Sequence, residues 1–162
     1  RVGKTMLINE FLKKKRSAYY MAVEGTSKEN LSGISKVLLA EKNEEFYMPE
    51  FPDFESLLSY IDHLCKNTDD QERLVIAIDE FPYLAGSYPA ISSMLQSHID
   101  QCWKDSNLFL ILCGSSMSFM EEQVLGYKSP LYGRRTAQFK IRPFHFWEAK
   151  HQKTLVVKPS TY

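Results

Sequence analysis

The sequence predicts a doubly wound α/β domain, in which helices cover both faces of a parallel β-sheet. Three runs of residues predict the strands: Ala18 to Val23, Leu74 to Ile78 and Leu108 to Cys113. Each run is nearly all apolar rather than alternating, as is typical of strands covered on both faces. Helical patterns lie between the runs, so strands and helices alternate along the chain. With 162 residues, 44% of them hydrophobic, the chain can bury one core, and we expect one domain.

Apolar residues at helical spacing predict three helices. The clearest spans Asp53 to Lys66, where Asp53 is expected to cap the amino end. A second spans Ala90 to Trp103, and a third begins near Ser27. Polar and apolar residues alternate from Gln138 to Arg142, which predicts a further strand near an edge of the sheet.

Composition and charge argue against several classes of protein. Lysine plus arginine and aspartate plus glutamate each number 20, so no bulk field attracts nucleic acid or an acidic membrane. No apolar run approaches the roughly 18 residues that a membrane span requires, and the first residues hold no signal-peptide core. We therefore expect a cytoplasmic protein with no membrane partner. The three cysteines are odd in number and lie far apart in apolar patterns, so we expect reduced core thiols.

The first residues of the chain suggest a phosphate-binding loop. Gly3, Lys4 and Thr5 lead directly into a helical pattern, as the end of G-x-x-x-x-G-K-[ST] does. In such a loop the glycine lets the backbone approach the phosphates, the lysine reaches the β and γ phosphates, and the threonine hydroxyl binds magnesium. The first glycine of the motif would lie upstream of Arg1, so we expect the chain to begin inside the loop. Three such residues also recur by chance at helix starts. The apolar positions of the predicted helix are Met6, Leu7 and Phe11.

Two carboxylates follow the second apolar run. Asp79 and Glu80 come directly after the run that ends at Ile78, and the carboxyl ends of parallel strands face the ligand crevice of such folds. A solvated acidic turn is the alternative. The glycine-lysine-threonine sequence upstream favours a functional pair instead. In that case Asp79 is expected to hold magnesium through water, and Glu80 to act as the general base on the attacking water.

The third apolar run also ends in small polar residues. Ser115 is the candidate for a residue that contacts the γ phosphate, and Ser116 follows it. An equally good interpretation is that one of the two serines caps a helix that begins near Met117. Both roles are compatible.

A basic loop, GYKSPLYGRR, spans residues 126–135 and carries Arg134 and Arg135. A guanidinium placed against the γ phosphate stabilises the transition state and increases the rate about a thousandfold or more. Either arginine is a candidate for this role, with a solvated basic loop as the alternative.

His98 and Cys102 are one helical turn apart, a spacing that two metal ligands can have. Two ligands do not make a site. We therefore expect His98 to be a buried structural histidine.

Together these segments resemble the archaeal-type ATPase family of prokaryotes, a branch of the AAA-like and STAND-like P-loop NTPases. The resemblance rests on RVGKT at 1–5, LVIAIDEFPYL at 74–84, LILCGSSMSFME at 110–121 and GYKSPLYGRRTAQFKIRPF at 126–144. It implies a three-layer α/β/α fold whose parallel sheet has the strand order 5-1-4-3-2. It also implies ATP and Mg²⁺ as ligands. The first strand of that sheet is expected to be missing from this chain.

The resemblance implies that residues 1–149 form the ATPase core and that residues 150–162 form a tail or the start of a following domain. The expected function is ATP binding and magnesium-dependent hydrolysis as a nucleotide switch, impaired in the chain as it stands. A non-catalytic nucleotide-binding module and a P-loop kinase are the alternatives. Association with a second copy or another protein is left open, and nucleic acid is expected to bind only through domains outside this chain.

Overall fold

Three parallel strands form the sheet at the centre of this protein. A computed structural model describes residues 3–40, 50–66, 73–124 and 126–142, and the strands are β1 (Ser17–Met21), β2 (Leu74–Asp79) and β3 (Leu108–Leu112). β2 lies between the other two, with Met21 beside Asp79 and Leu74 beside Leu108. The three predicted strands are confirmed, with small shifts at their ends. Counted as strands 2, 3 and 4, they match the 4-3-2 part of the expected strand order.

Helices cover both faces of the sheet. The helices are α1 (Lys4–Leu12), α2 (Ser27–Ala40), α3 (Phe54–Lys66), α4 (Phe81–Ser87), α5 (Ile91–His98) and α6 (Met117–Phe119), with π-helical segments at Ile99–Trp103 and Met120–Val124. α1 packs on one face of the sheet, and α2 to α5 pack on the other. The predicted three-layer α/β/α arrangement is therefore confirmed. In the part of the chain that the structure describes, no helix has the length and apolar character needed to cross a bilayer.

The central strand β2 is covered on both of its faces. All six of its residues are buried. Successive side chains of a strand point to opposite faces, so Leu74, Ile76 and Ile78 join the larger core formed with α2 to α5. Val75 and Ala77 point to the other face, where they form a smaller apolar cluster with Ile8 and Leu12 of α1. This double burial is the reason for the unbroken apolar run in the sequence.

The predicted helix after Thr5 is confirmed, and two of the apolar residues that indicated it are exposed. Met6 and Leu7 are 71% and 56% exposed, whereas Ile8 and Leu12 are buried against β2. Ile8 and Leu12 are four positions apart and so lie on one face of the helix. Contact with the sheet decides which face of α1 is buried, and the spacing of the apolar residues in the sequence does not reveal that face.

Asn30 joins the end of β1 to two helices. Its side-chain oxygen accepts hydrogen bonds from the Tyr20 hydroxyl at 2.8 Å and the Val23 backbone N–H at 3.0 Å. Its amide group donates to the carbonyl oxygens of Val23 and Thr26 and to the hydroxyl of Ser87 at the end of α4. The side chain is completely buried. This one amide therefore gives the buried Tyr20 hydroxyl a partner and joins the backbone after β1 to the start of α2.

His98 is a buried structural residue, as predicted. Its Nδ1 lies 2.9 Å from a carboxylate oxygen of Asp62 on α3. The indole nitrogen of Trp103 donates to the same carboxylate at 2.5 Å. Asp62 thus joins α3 to α5 and to the π-helical segment that follows α5. Among the described residues, no group of three or more histidine, cysteine, aspartate or glutamate side chains is arranged to hold a metal ion.

The strand predicted at residues 138–142 was wrong. These residues have no regular secondary structure, and Phe139 is 84% exposed. Alternation of polar and apolar residues is not sufficient for a strand, because the backbone groups of a strand need a hydrogen-bonded neighbour. The strand that the expected order places beside it is not among the described residues. The predicted tail at 150–162, and the predicted boundary at 149, also lie outside the described residues.

We predict that Asn30→Ala lowers the free energy of unfolding by about 3 kcal/mol, because the buried Tyr20 hydroxyl loses its partner and the half-buried hydrogen bonds to Val23 and Thr26 are also lost. Urea unfolding monitored by circular dichroism measures the change. Lys28→Ala is the matched control on the exposed side of α2, and we expect it to stay within about 0.5 kcal/mol of the native protein. Equal stabilities of the two variants would contradict the structural role of Asn30.

Candidate functional site

The amino end of α1 meets the carboxyl end of β2. The Thr5 hydroxyl donates a hydrogen bond of 2.7 Å to Oδ2 of Asp79, although the two residues are 74 positions apart in the sequence. This hydrogen bond therefore joins the glycine-lysine-threonine sequence to the pair of carboxylates at the end of β2. α1 rests on the face of β2 formed by Val75 and Ala77, and this packing places Thr5 at the end of the strand.

Gly3 precedes α1 in a conformation that favours glycine. Its φ of 84° and ψ of 13° lie in the left-handed region. Among the described residues beyond its own helix and chain neighbours, no atom lies within 4 Å of the position where a Cβ would stand. Backbone conformation, and not lack of space, is therefore the reason for a glycine at this position. The following backbone N–H groups begin the helix, and the positive end of a helix attracts phosphate.

Asp79 is a buried carboxylate that is held by several donors. Its Oδ2 accepts from Thr5 and, at 3.0 Å, from the Tyr19 hydroxyl, while its Oδ1 accepts from the backbone N–H of Glu80 at 2.9 Å. Burial acts to raise the pKa of Asp79, but hydrogen bonds from Thr5, Cys113, Tyr19 and Glu80 outweigh burial and lower that pKa. Asp79 is therefore ionised at neutral pH, as a ligand for a cation must be.

Tyr19 and Cys113 are site residues that the sequence analysis missed. Burial, followed by the hydrogen bond and charge of Asp79, raises the pKa of Tyr19 to about 12. Burial and the charge of Asp79 likewise raise the pKa of Cys113 to about 12, although the positive charge of Lys4 opposes the rise. Both groups therefore keep their protons at neutral pH. Each lies within an apolar run, and only the pairing of the strands shows that it faces Asp79.

Glu80 occupies a tight turn between β2 and α4. Its φ of 50° and ψ of 40° are in the left-handed region, which a side chain other than glycine adopts at a cost of about 1 kcal/mol or more. The Phe81 N–H donates to the Cys113 carbonyl at 2.8 Å, which joins the turn to the end of β3. The turn directs the Glu80 side chain towards Ser115, whose backbone N–H and hydroxyl both donate to Oε2, at 3.1 and 2.8 Å.

The structure thus brings together Thr5, Asp79, Glu80 and Ser115, four of the residues predicted to form a site. Ser116 precedes α6 at the capping position, but its side chain makes no capping hydrogen bond. The charge of Lys4 acts on Cys113, so Lys4 also lies near this edge of the sheet.

The basic loop contacts a different part of the protein. Nε and Nη2 of Arg134 donate to the two carboxylate oxygens of Asp100 at 2.8 and 2.7 Å. Its Nη1 donates to the carbonyl oxygens of Pro130 and Tyr132. All three guanidinium nitrogens therefore hold the loop in shape and against the π-helical segment after α5. Arg135, the next residue, is exposed.

The side chains at the end of β2 suit a magnesium ion. The Thr5 hydroxyl and the Asp79 carboxylate supply oxygen atoms, which Mg²⁺ prefers, and the carboxylate is ionised. Mg²⁺ is commonly held by one or two protein oxygens, with phosphate and water oxygens completing its shell. The small number of protein ligands here agrees with that mode of binding.

Most of the chain matches a known protein family. The family described as an ATPase domain predominantly from Archaea matches residues 1–154. The chain belongs to this family. The resemblance seen in the sequence motifs is thereby confirmed.

Relatives of this chain include two uncharacterized proteins of Methanocaldococcus jannaschii. One is 36% identical over 158 residues, which cover 98% of this chain and 32% of the relative. The other is 30% identical over 96 residues, which cover 59% of this chain and 89% of the relative. The chain thus spans about a third of the length of the first relative.

A solved structure supports the fold. The Walker-type ATPase of Pyrococcus abyssi superposes with a TM-score of 0.62 over 98% of this chain and 52% of that chain, at 19% sequence identity. This likeness concerns the arrangement of helices and strands.

We predict that Glu80→Gly is more stable than Glu80→Ala by about 1 kcal/mol, because both variants lose the carboxylate but only glycine adopts the left-handed conformation without strain. At an ordinary helical position the order is the reverse, with alanine more stable. Chemical denaturation of the two variants measures the difference. If the alanine variant is the more stable one, the left-handed turn is not a feature of the folded protein.

Proposed function

We propose that this ATPase domain binds ATP with Mg²⁺ and hydrolyses the γ-phosphate bond, and so acts as a nucleotide-dependent switch. The observation that carries the proposal is the hydrogen bond of 2.7 Å between Thr5 and Asp79. In P-loop NTPases the loop threonine or serine and the aspartate at the end of a neighbouring strand together hold the magnesium ion. Membership of the ATPase family supports the same conclusion.

Gly3, Lys4 and the amino end of α1 would bind the phosphates. The ammonium group of Lys4 is a compact charge that reaches the β and γ phosphates in such loops. Thr5 and Asp79 would hold Mg²⁺, Asp79 through water. When bound, this ion would neutralise negative charge that develops on the phosphate oxygens during the reaction.

Glu80 is proposed as the general base. The oxygen of a water molecule would attack the γ phosphorus, the bond between that phosphorus and the β–γ bridging oxygen would break, and Glu80 would accept the water proton. Ser115 donates twice to Oε2 of Glu80. Among the described residues no hydrogen bond occupies Oε1, which can accept from water. The Ser115 hydroxyl is also proposed as the contact to the γ phosphate, in which case it would donate its proton there while the Ser115 backbone N–H keeps the bond to Oε2.

Arg134 and Arg135 remain the candidates for an arginine that stabilises the transition state. The paired hydrogen bonds between Arg134 and Asp100 favour a structural role for Arg134. We therefore favour Arg135 for the phosphate contact, with Arg134 holding the loop that carries it.

We predict that Glu80→Gln, introduced into the intact protein, retains ATP affinity but loses about 10²-fold in hydrolysis, because an amide cannot accept the water proton. Asp79→Asn should in addition weaken the magnesium-dependent part of ATP binding. Phosphate release without any added acceptor measures hydrolysis, and a fluorescent ATP analogue with and without EDTA measures binding.

The exposed Glu122 is the matched control, and Glu122→Gln should hydrolyse ATP at the native rate. Native hydrolysis by Glu80→Gln would show that another group is the base. A native protein that binds ATP but releases phosphate only to an added acceptor would be a kinase. Binding without release under either condition would identify a non-catalytic module.

We also predict that mixing Arg135→Ala protein with Lys4→Ala protein restores part of the hydrolysis that each lacks. If Arg135 of one copy completes the site of another, a mixed pair holds one intact site. Phosphate release by the mixture, compared with each variant alone, measures the effect. Absence of recovery in mixtures that associate by analytical ultracentrifugation would place the arginine in its own site, or outside the reaction.

A further inference from the structure

Tyr19 contacts the proposed cation site but has no role in the function proposed above. Its hydroxyl lies 3.0 Å from Oδ2 of Asp79, the same oxygen that accepts from Thr5. Two hydroxyl groups from different elements, β1 and α1, thus converge on one carboxylate oxygen.

The pairing of β1 with β2 brings the Tyr19 hydroxyl to this oxygen. Tyr19 pairs with Ala77, and Met21 pairs with Asp79, so Asp79 lies two positions further along the sheet. The long phenol side chain spans this offset. The half-buried ring packs against the apolar cluster beneath α1, which includes Ile8 and Val75. This packing restricts the movement of the ring and of its hydroxyl.

The hydrogen bonds to Asp79 fix the plane of its carboxylate. A carboxyl group turns easily about the bond to its Cβ, but here Oδ1 is held by the Glu80 N–H and Oδ2 by Thr5 and Tyr19. The Thr5 oxygen is itself a proposed ligand of the cation, so its position depends on what is bound. Tyr19 also donates to Asp79, but it is not a proposed ligand of the cation, so its hydrogen bond does not depend on what is bound.

We propose that Tyr19 is a positioning residue that holds Asp79 in the orientation that binds the divalent cation. This inference rests on the proposed function, because it presumes that Asp79 serves a cation. Groups that hydrogen-bond to metal-binding carboxylates typically change metal affinity or activity by 10- to 100-fold when they are removed. The hydroxyl of Tyr19 is placed to act in this way, through Asp79.

The test is Tyr19→Phe in the intact protein. Electron paramagnetic resonance measures the binding of Mn²⁺, in place of Mg²⁺, in the presence of a non-hydrolysable ATP analogue. We expect the Mn²⁺ dissociation constant to rise about tenfold. Binding of the analogue in EDTA should be unchanged, since Tyr19 contacts the carboxylate and not the phosphate-binding loop.

Tyr20→Phe is a closely matched control. Tyr20 is the next residue, points to the opposite face of the sheet, and loses a hydrogen bond of 2.8 Å to Asn30 in the same substitution. We expect this variant to melt at a lower temperature and to bind Mn²⁺ as the native protein does. A purely structural effect of losing a tyrosine hydroxyl would therefore appear in both variants, and a cation effect in Tyr19→Phe alone.

The outcomes separate this inference from the proposed function. Unchanged Mn²⁺ binding by Tyr19→Phe would overturn the inference, and tighter binding would also overturn it by showing that the hydroxyl competes with the cation. Weaker Mn²⁺ binding would support it, even in a protein that proved unable to hydrolyse ATP. A native protein that binds the analogue without any Mn²⁺ would contradict both the cation site and the role of Tyr19.

Discussion

The burial of Asp79 at the end of β2 is the constraint on which the arrangement of the site depends. The side chain is 1% exposed, and a buried carboxylate is costly unless hydrogen bonds replace its water. Here the donors come from α1, β1, the turn into α4 and the end of β3. The charge therefore requires that four separate elements meet at one point. The same requirement places the proposed phosphate, cation and base residues beside one another.

The turn at Glu80 shows how local strain is maintained by its surroundings. The left-handed backbone is unfavourable for glutamate, but the Phe81 N–H is bonded to the end of β3 and the Glu80 N–H is bonded to Asp79. These two hydrogen bonds keep Glu80 in the left-handed conformation, although that conformation is strained for a residue with a side chain. The turn directs the carboxylate to Ser115 and away from the core, which is the orientation used in the role proposed for Glu80. Strained residues of this kind are common at sites that must present a side chain in one direction.

The sequence was informative about the site because strand ends are visible in it. Asp79, Glu80 and Ser115 directly follow apolar runs, and parallel strands end at one edge, so their proximity could be predicted. The partner of Arg134 could not be predicted, since a basic loop carries no periodic pattern and Asp100 lies 34 residues away. The wrong strand at residues 138–142 has a related cause. The alternation of polar and apolar residues is a property of one segment, whereas a strand forms only when a neighbouring strand accepts and donates its backbone hydrogen bonds.

By itself the sequence determined the α/β class, the three strands, the main helices and the family, because buried strands and amphipathic helices leave their pattern in the order of apolar residues. Only the tertiary structure decided which face of α1 is buried, which of Tyr19 and Tyr20 faces Asp79, and where Arg134 is bound. These contacts depend on strand register and helix packing, and adjacent residues of a strand point to opposite faces. Residues far apart in the chain meet only when those elements are assembled.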